Sequence, residues 1–112
     1  MDITGFTRRR TIKIKKGVKI NGLRPELSLA LQIADGIYNN HKTEMVITSV
    51  VDGVHSSNSL HYSGCAADLR IRDLPSGNAS LVTKDMSEKL GSDFDVVLER
   101  DHIHVEYQPQ KT

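Results

Sequence analysis

Tryptophan is missing from the chain, and only five aromatic side chains, three tyrosines and two phenylalanines, are spread over 112 residues. The core must therefore be built mostly from aliphatic side chains. Cysteine occurs once, at Cys65, so no internal disulfide can form, and a small thiol among alanines reads as a packed apolar group rather than a nucleophile. No stretch approaches the roughly 18 to 20 apolar residues of a membrane span, and the opening "MDITGFTRRRTIKIKKG" lacks the apolar run of a signal peptide. The expectation is a protein made in the cytoplasm, with no leader and no membrane insertion. A strong charge of one sign is absent too, since the net charge is +1.

The positive charge that exists is uneven. Arg8, Arg9, Arg10, Lys13, Lys15 and Lys16 crowd a basic segment over 1–17. Such a patch can meet nucleic acid, anionic lipid or an anionic wall polymer. The simpler reading is an edge strand, "TIKIKK", whose outward lysines discourage strand-to-strand aggregation, and nucleic acid is not the expected partner.

A length of 112 residues suits one domain, 1–112, that buries roughly two-thirds of the surface its unfolded chain exposes. No repeat or linker divides it. "RPELSLALQIADGIYNN" interleaves Leu27, Leu29, Leu31, Ile33 and Ile37 with alanines behind Pro25, and predicts a helix ending near Asn39 and Asn40. "EMVITSVV", Glu44 to Val51, is β-branched and predicts a buried strand. From Cys65 to Arg72 residues alternate, which sends Ala67, Leu69 and Ile71 one way and Asp68, Arg70 and Arg72 the other. Ala79 to Leu90 predicts a second helix stopped by Gly91. "FDVVLE" and "HIHVEY", parted only by Arg100 and Asp101, predict an antiparallel hairpin. The fold class is α+β, a small antiparallel-rich sheet with helices on one side.

The chemistry-bearing residues gather in two places. "SLHYSGCAAD" sets His61 and Asp68 seven positions apart, and "DHIHVE" puts His102, His104 and Glu106 on one strand face. Seven extended residues span more than about 20 Å. One ion can join His61 to Asp68 only if the chain folds back, which Gly64 permits, with Ala66 and Ala67 keeping the nearby space open. Two imidazoles and a carboxylate suit Zn²⁺. A carboxylate near the metal but off it, Asp101 with Glu99 as rival, can move a proton to and from the reacting groups. Glu106 can orient a ligand histidine.

"SLHYSGCAAD" follows the pattern Ser-x-His-x-x-Gly-x-Ala-x-Asp, and in "DHIHVE" an acid stands three positions before the last histidine. In both the chain resembles the zinc D-Ala-D-Ala peptidase family, which shares its fold with the Hedgehog signalling domain, and the resemblance spans Pro25 to Tyr107. It implies a zinc site of His61, Asp68 and His104, Asp101 as general base and acid, and Ser59 and His102 as substrate contacts. It also implies a peptidoglycan stem peptide or D-Ala-D-Ala-type substrate, cut by a carboxypeptidase or an L-Ala-D-Glu-type endopeptidase. The short length suggests a monomeric, phage-type wall enzyme reaching its substrate after lysis or delivery. Two positions depart from the family: "ITSVVDGVHSS" lacks the arginine that often anchors substrate there, and no tryptophan precedes the last histidine. A Hedgehog-like module that keeps zinc with reduced catalysis is the alternative, to which a retained Asp101 is the objection.

Overall fold

A computed structural model describes residues 12–18, 23–51 and 66–109. Among them run β1 (Lys13–Ile14), α1 (Pro25–Asn40), β2 (Val46–Val51), β3 (Ala66–Arg70), α2 (Asn78–Leu90), β4 (Phe94–Leu98) and β5 (His102–Tyr107). The strands form one sheet in the order β1-β2-β3-β5-β4. Only β1 with β2 is parallel; the other three pairings are antiparallel. The α+β class expected from the sequence is the class observed.

Pro25 opens α1 at its first turn, where its missing N–H costs nothing. The buried face is Leu27, Ala30, Leu31, Ala34, Ile37 and Tyr38, a three-and-four spacing that points one stripe at the sheet. Leu29 falls off that stripe and is 59% exposed, so alanines rather than the full set of leucines make the contact. α2 buries Val82 and Met86, one helical turn apart. It stops at Gly91, whose φ of 82° and ψ of −171° belong to a region open essentially to glycine alone.

One core unites these helix faces with Ile47, Ala67, Leu69, Ile103 and Val105. Both helices therefore cover the same face of the sheet. Between these residues in sequence lie Asp68, His102 and His104, half-buried on the opposite face. The Tyr38 hydroxyl crosses from α1 and donates to the Arg70 carbonyl at 2.7 Å, pinning the end of β3 to the helix. Burial pushes the Tyr38 phenol pKa upward, so this hydroxyl stays a donor.

Two local features depart from simple alternation. Between Ile47 and Ser49 the register of β2 against β3 shifts, leaving Thr48 as the extra residue of a bulge. At the β4–β5 hairpin the Glu99 N–H donates to the His102 carbonyl at 2.8 Å across Arg100 and Asp101, as expected for a two-residue loop. Neither Arg100 nor Asp101 has a positive φ, so the turn is not one of the mirror-image types that such loops favour.

Leu69 is fully buried at the centre of β3, beside Asp68. Leu69→Ala should lower unfolding stability by about 2 to 5 kcal/mol, read by urea denaturation. A loss below about 1 kcal/mol would mean that β3 is not packed as described.

Candidate metal centre

The β3–β5 ladder builds the site. Its register sets Asp68 opposite His104 and Arg70 opposite His102. Since cross-strand partners share a face, alternation on two strands brings three chemically active side chains to one patch. Asp68, His102 and His104 each offer a ligand atom, and these atoms all lie within 4.8 Å of one another. The patch is only partly open, with about 27 to 30% of each of these side chains exposed.

Asp68 Oδ1 is the common point. It lies 2.9 Å from His104 Nδ1 and 3.5 Å from His102 Nε2. In a tetrahedral site with bonds of about 2.0 to 2.1 Å, neighbouring ligand atoms stand about 3.3 Å apart. The two observed separations bracket that edge, and all three donor atoms lie within 4.8 Å of one another, a grouping that could hold a metal ion.

The remaining ring nitrogens are held as well. His102 Nδ1 lies 2.7 Å from Asp101 Oδ1, and His104 Nε2 lies 3.1 Å from Glu106 Oε1. A carboxylate on the far nitrogen fixes the orientation of a ligand histidine and raises its basicity. Gln108 Nε2 donates to the other Glu106 oxygen at 2.9 Å. That bond, with the His104 contact, outweighs burial and draws the Glu106 pKa down. Burial opposes a charged His104 ring, but its hydrogen bonds to Glu106 and Asp68 and the fields of both carboxylates prevail, and its pKa is raised. Hydrogen bonding to His102 likewise lowers the Asp101 pKa.

Of the residues expected from the sequence, Asp68 and His104 are brought together, and Glu106 takes the orienting place considered for it. His102 belongs to the donor group itself. Asp101 sits on the hairpin tip, 84% exposed, in contact with His102. Glu99 is exposed at the same tip. His61, Ser59 and Gly64 lie outside the described residues, as do Cys65 and the Arg8 to Arg10 run. Ala67 points into the core rather than toward the site, so only Ala66 can keep space open on this face. Missed by sequence reasoning were Lys15 and Thr48, which reach the same polar face through an edge strand and a bulge.

No protein-family model matches the chain, and neither does any curated protein or solved structure. No described helix is long and apolar enough to cross a membrane.

The His104–Glu106 pair carries a pH dependence in the metal-free protein. A raised His104 pKa means stability that is complete below the ordinary histidine value, about 6.5, and lost as pH rises through the folded value. A lowered Glu106 pKa means stability present above about 4.3 and lost as pH falls through the folded value. The pair therefore helps most between about pH 4.3 and 6.5. Glu106→Gln should move the His104 titration, followed by proton NMR of the ring, toward ordinary histidine; an unmoved titration would uncouple the two.

Proposed function

We propose that the protein is a zinc-dependent peptidase of the D-Ala-D-Ala peptidase kind, acting on peptidoglycan-type peptides. The observation that supports it is the convergence of Asp68, His102 and His104, with a carboxylate on the outer nitrogen of each ring. Two imidazoles with a carboxylate suit zinc, although the cluster alone does not choose among divalent ions. When bound, zinc lowers the pKa of its water to about 7 and polarises a carbonyl. Asp68 and His104 would hold it, joined by His61 as the first motif implies.

The other side chains then have distinct work. Glu106 fixes the His104 ring so that Nδ1 faces Asp68 and the ion. Asp101, ionised at neutral pH as an ordinary carboxylate is, accepts the proton of the attacking water and returns it to the departing amine. Its bond to His102 keeps the carboxylate at the cluster. His102 directs Nε2 inward, where an Nε2–H can donate to the oxygen that gains charge as the carbonyl is attacked. Ser59 would contact substrate from the first motif. The enzyme would work as a monomer and meet the wall after lysis or delivery, in the manner of a phage enzyme.

A second ligand set is favoured by one distance, the 3.5 Å from His102 Nε2 to Asp68 Oδ1. His102 is then the third ligand, and Asp101 orients it rather than moving protons. A Hedgehog-like module would hold the ion by either set without turnover.

Zinc content and hydrolysis of a peptidoglycan-derived pentapeptide, measured on variants, separate these. The proposal expects His61→Ala to lose zinc and His102→Ala to keep it. Asp101→Ala should keep zinc while hydrolysis falls about 10²- to 10⁴-fold. Zinc lost from His102→Ala, with affinity about 10- to 100-fold weaker in Asp101→Ala, would establish the second set. A fully active Asp101→Ala would transfer the base role to Glu99, and a zinc-loaded wild type without turnover would be the binding module.

A further inference from the structure

Next to the metal centre, on the side toward β1, lies a cavity of about 310 Å³ lined by Lys15, Thr48, Arg70, Arg72, Asp101 and His102. Two separate segments bring its cations together. Lys15 follows β1 and is fixed by its backbone N–H, which donates to the Ile47 carbonyl at 2.8 Å. Arg70 faces the polar side of β3 opposite His102, on the residue whose carbonyl Tyr38 holds. Arg72 follows two positions on.

The β2 bulge places Thr48 in the same wall, where its hydroxyl donates to the Asp68 carbonyl at 3.3 Å. Three cationic side chains thus face one carboxylate, and that carboxylate, Asp101, is engaged with His102.

Several other cations on the described surface have carboxylate partners. Lys13, Arg24, Lys84 and Lys89 each stand within 4.0 Å of a carboxylate. Among the described residues no such ion pair includes Lys15, Arg70 or Arg72. Like charges gathered around one concavity repel, and an anion placed between them relieves that repulsion. Arginine forks bind carboxylates in paired hydrogen bonds.

The position of the cavity narrows the ligand. His102 forms a wall of both cavity and donor cluster, so an anion held here is a neighbour of a group bound at the cluster. We propose that the cavity binds the terminal carboxylate of a peptide whose last amide bond reaches the Asp68–His104 group. This rests on the peptidase reading and makes the enzyme one that releases a C-terminal residue. It also supplies a substrate anchor from Lys15, Arg70 and Arg72, where "ITSVVDGVHSS" has no arginine to offer.

The test is an NMR titration of the full chain, metal-free and zinc-loaded, with N-acetyl-D-alanine, its neutral amide, and inorganic phosphate. The acid should bind at least about 10-fold more tightly than the amide even without zinc, shifting the backbone signals of Lys15, Thr48, Arg70 and Arg72. The Arg70→Gln/Arg72→Gln double variant should erase that preference, and Lys15→Gln alone should reduce it, with zinc content unchanged in both. Equal binding of acid and amide, shifts mapping elsewhere, or phosphate binding more tightly than the acid would overturn the proposal. Because the preference is read without metal, failure of the peptidase reading shows separately, as an absence of zinc and turnover.

Discussion

Everything proposed for this protein depends on one carboxylate placed between two imidazoles. Asp68 Oδ1 lies within 3.5 Å of a ring nitrogen of both His102 and His104. That placement follows from the antiparallel register of β3 and β5, which sets Asp68 opposite His104 and sends His102, two residues earlier, to the same face. A slip of one residue would turn both histidines into the core and Ile103 and Val105 out to solvent. The fully buried state of Ile103 and Val105 is thus what holds the donors in register.

The sheet divides its work by face. The side under the helices is aliphatic, with Leu69, Ile103 and Val105 fully buried, and it supplies the folding energy. The open side carries charge: carboxylates at Asp68, Asp101 and Glu106, cations at Lys15, Arg70 and Arg72, and two histidines between them. Without a metal, the His104 ring lies between two carboxylates and gains by holding a proton. A divalent cation offers the same compensation with more charge. A metal ion at this group would therefore compete with protonation of the ring, and its affinity should weaken as pH falls.

Much of this was legible in the sequence, for reasons that differ by element. The Cys65–Arg72 alternation foretold that Asp68 leaves the core side, and the two-residue spacing of His102 and His104 foretold a shared face, because strand periodicity is a property of the backbone alone. The helices were legible from Pro25 and Gly91 at their ends. The β4–β5 hairpin was legible from the two residues between its strands, but the other pairings were not, since β1 joins the edge in parallel and β5 inserts between β3 and β4 through side-chain packing that no local pattern encodes. The bulge at Thr48 was hidden for the same reason, and with it the turn of Thr48 toward the cations. Lys15 read as a solvated edge lysine, and only the fold shows it beside Arg70. Asp101 was found by its spacing from His104, whereas its contact with His102 came from the tight hairpin.

The most direct measurement is the metal content of the purified protein by elemental analysis, set beside Asp68→Asn. Asp68 serves every ligand set considered, whichever histidine completes it. The account predicts one zinc per chain in the wild type and a large loss in the folded variant. A folded wild type without bound metal, or an Asp68→Asn protein that retains it in full, would contradict the account.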